Sequence, residues 1–379
     1  MKSRICEILD IEFPLLAFSH CRDVVVAVSK AGGMGVFGAV SLPPDRLEEE
    51  LRWIDDHIDG KPYGIDLIVP NKYEGKGKSL STDDIVKSIP QGHKDFAKSI
   101  LDSHNIEADN PDDVRSGTVQ FGKNLSEEGA ESSLEVAMKH PIKLIANALG
   151  VPPKIMLDLG KEHNVAVAAL VGAKEHALKQ VEAGVDILVV AGGEAGGHCG
   201  DVSTIVLVPE VYNAIKDIKD VPILAAGGIT TGGQMAAAMS MGASGAWCGS
   251  VWLTTSEAET NPVVKEKMLA ASSRDTVRSR SRTGKHSRQL VSPWTDAWES
   301  DKAPDPLPMP LQPMVAEPAL AKVNKLAEGG HDGAKDLATH WVGQGVGLMN
   351  QSISASDVVM EFKEDFLEAY ERLDGFIQE

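Results

Sequence analysis

A short apolar run meets a glycine-rich loop in Val185-Asp-Ile-Leu-Val-Val-Ala-Gly-Gly-Glu-Ala-Gly-Gly-His-Cys-Gly200. The apolar half is typical of a buried strand, and the loop holds one titratable imidazole, that of His198. Glycine lets backbone approach a ligand closely, and ligands of α/β proteins bind at the carboxyl ends of strands. The stretch therefore predicts a ligand site with His198 beside it.

Two more predicted strands also end in small residues. The first ends in Ala225-Ala-Gly-Gly-Ile229 and the second in Cys248-Gly-Ser250. In (β/α)₈ barrels a phosphate commonly lies between the loops after strands seven and eight, where backbone N–H groups hold it. A phosphate site at these two loops is the interpretation that we favour over two tight turns chosen for geometry alone.

Short apolar runs alternate with helical segments along the chain. The predicted strands are Pro14–Phe18, Met34–Val40, Tyr63–Val69, Ile142–Leu149, Val165–Val171, Ile187–Val190, Pro222–Ala226 and Gly245–Gly249. The predicted helices between them are Asp23–Ala31, Pro43–Ile58, Pro152–His163, Ala173–Ala183, Val208–Lys216 and Gly233–Met241. Eight strands that alternate with helices predict an α/β fold of the (β/α)8 TIM barrel type. A doubly wound open sheet is the competing interpretation, since its local pattern is the same.

Two regions depart from this alternation. Residues 70–140 are polar and form a predicted insertion after strand three, either a lid over the site or a surface decoration. We expect residues 1–255 to form the barrel and residues 256–379 a smaller C-terminal lobe. The insertion has predicted helices at Gln91–His104 and Ser126–Lys139, and the lobe has a segment Asn261–Ser273, a basic strand and turn at Arg274–Arg288, a proline-rich link Ala303–Pro318 and a final helix Ser356–Ile377 packed on the barrel.

Composition narrows the class of protein. The chain has 379 residues and a formal net charge of −18, which makes nucleic acid an unfavourable partner. No apolar run is long enough to span a membrane, and the charged N-terminus is unlike a signal peptide. Four cysteines without a CxxC pair fit a reducing compartment, so we expect a cytoplasmic enzyme with a small-molecule substrate.

Four side chains near predicted strand ends are candidates for chemistry. His198 is either a general base with a pKa near neutral pH or an ordinary loop histidine bonded to its neighbours. Glu194 is expected to accept hydrogen bonds from loop N–H groups. His20 follows the first strand and is a candidate for substrate contact. Asp66 places a carboxylate inside a buried strand, where it is expected to hydrogen-bond a ligand or an adjacent loop.

The glycine loops resemble those of the nitronate monooxygenase family, also described as 2-nitropropane dioxygenase-like. The resemblance rests on Gly193-Glu-Ala-Gly-Gly-His-Cys-Gly200, Ala225-Ala-Gly-Gly-Ile229, Met241-Gly-Ala-Ser244, Gly249-Ser250 and Ala31-Gly-Gly-Met-Gly35, and it extends to Thr283-Gly-Lys285 and Leu307-Pro-Met-Pro-Leu-Gln312. It covers most of the barrel. The insertion lies outside the usual pattern of this family.

The resemblance implies a flavoprotein with non-covalent FMN and His198 as the catalytic base. The residues that it implies for FMN binding are Ala17, Phe18, Ser19, Asp66, Ala191, Gly196, Gly197, Gly227, Gly228, Trp247, Cys248, Gly249 and Ser250. Among these, Gly227, Gly228, Gly249 and Ser250 would hold the phosphate. The flavin would supply electron transfer and oxygen chemistry, because protein side chains cannot.

The chain departs from the family at several of these positions. Ala17-Phe-Ser19 stands where Ala-Pro-Met is usual, Asp66 where asparagine is usual, and Ala191 and Trp247 where glutamine is usual. These changes affect FMN binding less than they affect nitronate specificity, because FMN would be bound mainly by backbone groups. The alternatives are an NAD(P)H-dependent reductase of an enone, quinone or enoyl thioester on the same fold, and a non-enzymatic barrel that binds a phosphorylated ligand. A homodimer is a further expectation.

Overall fold

A closed barrel of eight parallel strands forms the centre of the protein, as seen in a computed structural model that describes residues 1–40, 42–69, 88–107 and 127–377. The strands follow one another around the barrel in chain order, and the last pairs with the first. They are β1 (Leu15–Ser19), β2 (Met34–Gly38), β3 (Gly64–Leu67), β4 (Leu144–Asn147), β5 (Ala166–Val171), β6 (Ile187–Ala191), β8 (Ile223–Ala226) and β9 (Gly245–Cys248), while β7 (Gly197–His198) lies outside the barrel. All eight predicted strands are confirmed, and the doubly wound sheet is excluded.

Side chains along each barrel strand alternate between two apolar layers. Those that point inward fill the barrel and include Leu16, Val36, Leu144, Val189 and Trp247. Their neighbours point outward, where they pack beneath the surrounding helices. Because both faces of every strand are covered, the strands read as continuous apolar runs.

Helices surround the barrel and connect its strands. They are α2 (Arg22–Lys30), α3 (Pro44–His57), α5 (Glu127–Ala137), α6 (Lys154–His163), α7 (Lys174–Ala183), α8 (Thr204–Ile215) and α9 (Gly232–Ser240), with α1 (Arg4–Leu9) at the N-terminus and α4 (Gln91–Ser103) in the insertion. The short helix α1 was not predicted. Its Ile5 and Leu9 belong to the apolar cluster inside the barrel and cover one end of it. None of the helices among the described residues is long and apolar enough to cross a membrane.

Helix α8 begins four residues earlier than the sequence predicts. The expected start was Val208, whereas the helix begins at Thr204. The carboxylate of Glu194 accepts hydrogen bonds from the Thr204 N–H at 2.9 and 3.2 Å, so a residue of the glycine loop satisfies the first turn. Glu194 lies ten residues before Thr204 in the chain, so a local sequence pattern does not predict this contact.

The C-terminal lobe is built on a three-stranded antiparallel sheet whose third strand comes from the barrel loop. Strands β10 (Thr276–Ser279) and β11 (Ser287–Leu290) form a hairpin, and β7 pairs with β11. Around this sheet lie α10 (Pro262–Ala270), α11 (Pro293–Trp298), α12 (Leu311–Glu328) and α13 (Asp332–Leu337). The basic run, predicted as a strand and turn, thus forms a hairpin of two strands.

The proline-rich link was predicted wrongly in its second half. Residues from Leu311 onward form α12, with Pro313 in its first turn and Pro318 in its interior. Proline in a first turn loses no intrahelical hydrogen bond, because that N–H has no helical partner anyway. Packing of the apolar face of α12, including Val315, Ala316, Leu320 and Val323, stabilises the helix despite Pro318.

The predicted insertion divides between two parts of the molecule. Helix α5 packs on α3 in the ring of helices outside the barrel strands, as an ordinary barrel helix does. Helix α4 instead packs on α12 in the C-terminal lobe. The rest of the insertion, residues 70–87 and 108–126, lies outside the described residues, so the lid stays a prediction. The final helix, α14 (Ala355–Gly375), packs on α9 and α2, with Phe362 buried beside Gly232.

Candidate functional site

The glycine loop after β6 crosses from the barrel to the C-terminal lobe. Its end forms β7, in which His198 pairs with Ser287 and Gly197 with Arg288. The Arg288 guanidinium donates two hydrogen bonds, of 3.0 and 2.8 Å, to the carbonyl of Gly193. The backbone pairing of β7 and the two hydrogen bonds from Arg288 to Gly193 therefore fix the loop at both ends.

The middle of the loop lies flat on the lobe. A Cβ at Gly196 would lie 2.8 Å from the Gly343 nitrogen and 2.9 Å from the Val342 Cα. The carbonyl of Glu194 accepts a hydrogen bond from the Gln344 N–H at 2.9 Å. Close packing thus explains a glycine at position 196, and the Glu194 carboxylate bonds to Thr204, the acceptor role that its sequence context predicts.

The His198 imidazole contacts the tip of the β10–β11 hairpin. Its Nε2 lies 2.8 Å from the Thr283 hydroxyl, which also lies 3.2 Å from the Lys285 carbonyl. The hydroxyl donates to that carbonyl, so it accepts from Nε2–H and leaves Nδ1 unprotonated; this proton placement is assigned from the network. Although His198 has solvent access, desolvation by the surrounding protein lowers its pKa, and the nearby Lys285 lowers it further.

The ends of β8 and β9 present free backbone donors. Gly227 and Gly228 have φ of +101° and +70°, a left-handed conformation that favours glycine. Within the described residues, the N–H groups of Gly227, Gly228 and Gly249 donate no hydrogen bond. A 3₁₀ helix begins at Ser250, so its first N–H groups open toward the same place. Such a cluster of N–H groups fits an anion, and it lies where barrels of this type bind phosphate.

The barrel mouth beside these donors is lined by inward-facing side chains of β1, β6 and β9. Phe18 and Trp247 stack there with ring centroids 6.2 Å apart, and Ala191 joins the edge of the same inner cluster. In contrast, the Ala17 and Cys248 side chains point outward and are buried among the helices. Only their backbone can reach a ligand at the mouth. The Ser19 hydroxyl accepts a hydrogen bond from the Cys21 N–H at 3.1 Å.

Asp66 is buried in the wall of the barrel. Its residue is 1% exposed, and its carboxyl group forms no hydrogen bond with any described side chain or backbone group. Desolvation raises the pKa of Asp66 well above its usual range. Burial thus favours the protonated acid, which, like a neutral amide, has both a hydrogen-bond donor and an acceptor.

Two further histidines lie close to these residues, on different elements. His20, at the end of β1, bonds through Nδ1 to the Gly38 carbonyl at 2.7 Å and meets the Phe18 ring edge-on at 5.1 Å. His340 comes from the C-terminal lobe. Burial lowers the pKa of His340 to about 3, and the positive fields of Arg282 and His20 lower it as well.

Sequence reasoning missed His340, Trp341 and Arg282 as parts of this site. The Trp341 ring lies 6.4 Å from the His198 ring, centroid to centroid, and the Arg282 guanidinium stacks on it at 3.8 Å. The pair His340-Trp341, two aromatic side chains in a short segment between helices, is the feature of the sequence that could have indicated this part of the site. Nothing local connects that segment with residue 198, because the sheet that joins them pairs distant parts of the chain.

Comparison with known proteins places this geometry among relatives. The family model described as nitronate monooxygenase matches residues 2–365. A Mycobacterium tuberculosis protein named "Putative monooxygenase Rv1533" is 50% identical over 382 residues, which is 100% of both chains. A Bacillus subtilis protein named "Probable nitronate monooxygenase" is 28% identical over 347 residues, 88% of each chain.

Two solved structures resemble the whole chain. FabK from Thermotoga maritima has a TM-score of 0.72 and 25% identity, with 99% of each chain covered. A nitroalkane oxidase from Streptomyces ansochromogenes has a TM-score of 0.78 and 21% identity, with 97% of this chain and 99% of that chain covered. The latter likeness shows the fold alone.

Proposed function

Because the chain belongs to the nitronate monooxygenase family and is therefore an oxidoreductase, we propose that it oxidises alkyl nitronates or nitroalkanes with O₂, using FMN. The observation that carries this proposal is that free backbone donors follow β8 and β9, while the loop after the neighbouring strand β6 carries an exposed His198 whose pKa is lowered. When bound, FMN would supply the electron transfer and oxygen chemistry that side chains lack.

The residues present fit such a cofactor. The N–H groups of Gly227, Gly228 and Gly249, with those at the start of the 3₁₀ helix, would hold the phosphate. Phe18, Ser19, Asp66, Ala191, Gly196, Gly197 and Trp247 would surround the ring, with Ala17 and Cys248 contributing backbone only.

His198 would act as the general base through Nδ1. Its lowered pKa keeps the imidazole neutral near pH 7, and the Thr283 hydroxyl holds the proton on Nε2. Nδ1 can then take the proton from a carbon that an adjacent nitro group acidifies. The Trp341 ring, 6.4 Å from the His198 ring, provides an apolar surface beside this proton transfer.

Anaerobic stopped-flow absorbance of the purified protein tests the proposal. We expect a yellow protein whose flavin absorbance bleaches on mixing with ethyl nitronate. A colourless protein that does not take up added FMN would contradict cofactor binding. Bleaching by NADH or NADPH but not by ethyl nitronate would select the alternative activity, an NAD(P)H-dependent reductase.

A further inference from the structure

Arg282 lies at the tip of the β10–β11 hairpin and is only 6% exposed. Its Nε and Nη2 donate to the two carboxylate oxygens of Glu317, at 2.6 and 3.0 Å, and its guanidinium stacks on Trp341. Its Nη1 is buried and has no hydrogen-bond partner among the described residues. Because an unmade hydrogen bond of a buried charged group is unfavourable, this nitrogen has unused binding capacity.

Arg282 lies close to His198, because its chain neighbour Thr283 is hydrogen-bonded to that imidazole at 2.8 Å. Its positive field lowers the pKa of His340, and so does that of His20, which comes from the end of β1. Trp341 links the same guanidinium to His198, because its ring contacts both.

The groups around Arg282 favour an anion. Lys285 is a cation near His198, whereas the imidazoles of His198 and His340 have lowered pKa values and are neutral near pH 7. The nearby acidic groups do not oppose an anion strongly, because burial favours the neutral form of Asp66, Glu194 bonds to Thr204, and Glu317 bonds to Arg282 itself. The unpartnered N–H groups of Arg282 Nη1 and the Lys285 ammonium are therefore the groups that favour a negatively charged ligand.

We propose that Nη1 of Arg282 binds a planar oxyanion of the substrate beside His198. Guanidinium groups bind such anions through directional, charge-assisted hydrogen bonds. The oxyanion is either the nitro or nitronate group itself or a carboxylate elsewhere on the substrate, two sources with the same recognition chemistry. This inference rests on the proposed function, because it concerns the same site.

Calorimetric titration with nitrate and with propionate tests the subsite without requiring turnover. Arg282→Gln combined with Glu317→Gln removes the ion pair without leaving a buried unpaired carboxylate. Arg280→Gln is the matched control, because Arg280 lies on the same hairpin but bonds to Asp305, Pro306 and Gly284. We expect the double variant to bind one of the anions about 10- to 100-fold more weakly, and the control to bind as the natural protein does.

Equal affinities in all three proteins would overturn the proposal. In that case Nη1 has a structural role, such as bonding a buried water shared with Gln289 Oε1, which is also unpartnered. A thermal melt of each variant separates weakened binding from unfolding, and Arg282→Lys, which keeps the charge without the planar fork, should restore only part of the affinity.

Kinetics distinguish the two sources of the oxyanion. If Arg282 binds the nitronate group, the double variant raises KM for ethyl nitronate about tenfold or more and leaves kcat less affected. If Arg282 binds a remote carboxylate, KM for ethyl nitronate is unchanged while inhibition by propionate weakens. Arginine-dependent anion binding without flavin bleaching by ethyl nitronate would refute the proposed function and leave the subsite standing.

Discussion

At the scale of single residues, His198 is defined by its partners more than by its position in the sequence. The Thr283 hydroxyl and the Lys285 carbonyl fix the proton on Nε2, and desolvation keeps the ring neutral. The sequence alone predicts an imidazole at a strand exit. It does not predict the tautomer, because Thr283 lies 85 residues away along the chain.

His198→Asn separates a base from a binding residue. We expect turnover of neutral nitroalkanes to fall by roughly 10²- to 10⁴-fold, because the variant lacks a proton acceptor. Turnover of preformed nitronates, which need no deprotonation, should change far less. Steady-state oxygen consumption with both substrates measures this difference, and His176→Asn, on the exposed surface of α7, is the control. Equal losses on both substrates would reassign His198 to binding.

Asp66 is the second residue whose environment changes its chemistry. Its raised pKa means that the folded protein keeps a proton that the unfolded chain releases near the ordinary carboxyl pKa of about 4. The folded state therefore binds more protons, and its stability decreases as pH rises from about 4 toward the raised pKa.

Asp66→Asn should remove this decrease. The amide keeps the size and the hydrogen-bonding capacity of the protonated acid but does not titrate. We expect a higher melting temperature than that of the natural protein at pH 8 and a smaller difference at pH 5. Thermal melts across this range measure it, with Asp158→Asn on exposed α6 as the control. A variant that melts lower at pH 8 would show that a carboxylate is stabilised at this position.

At the scale of elements, the glycine loop is part of two structures at once. It leaves the barrel at Ala191 and becomes an edge strand of the lobe sheet at His198. Barrel strands could be predicted because each is a local apolar run between helices. The two-residue strand β7 could not, since its pairing with Ser287 and Arg288 depends on the hairpin.

Gly196→Ala tests whether this loop is held by close packing. The added methyl group would overlap the backbone of Val342 and Gly343, which cannot move aside as a side chain can. We expect destabilisation of about 1–3 kcal/mol and displacement of His198, two residues away, with loss of turnover. Chemical denaturation and oxygen consumption measure the two effects.

Gly92→Ala is the matched control for this substitution. Gly92 lies in α4, and a Cβ there meets nothing within 4 Å. Alanine in a helix with open space around it should leave activity unchanged and raise stability slightly. Full stability and full activity of the Gly196→Ala variant would contradict the inference that close packing on the lobe holds the loop.

At the scale of the whole molecule, the proposed site combines parts of the barrel and of the lobe. The barrel would provide the N–H donors for a phosphate and the inner aromatic pair, and the lobe would provide Thr283, Arg282, His340 and Trp341. The barrel half could be predicted because strand exits converge at one end of a parallel barrel. The lobe half could not, because its residues meet the mouth only through long-range packing that no local pattern encodes.

Binding of FMN should therefore stabilise the whole molecule. A ligand that binds only the folded state adds about 2.7 kcal/mol when its concentration is 100-fold above Kd. For a chain of 379 residues, whose entropy of unfolding is about 0.8 kcal/mol/K, this corresponds to a rise in Tm of roughly 3–4 °C. Differential scanning fluorimetry of protein stripped of flavin, with FMN added back, measures the rise.

Riboflavin is the matched control for this prediction, since it has the same ring without the phosphate. If the N–H groups of Gly227, Gly228 and Gly249 hold a phosphate, riboflavin should raise Tm much less than FMN at equal concentration. Equal shifts would place the binding energy in the ring contacts around Phe18 and Trp247 instead. In that case inorganic phosphate alone should not change Tm. If the three N–H groups do hold a phosphate, inorganic phosphate alone should raise Tm slightly, because phosphate without the ring forms only part of the contacts of FMN.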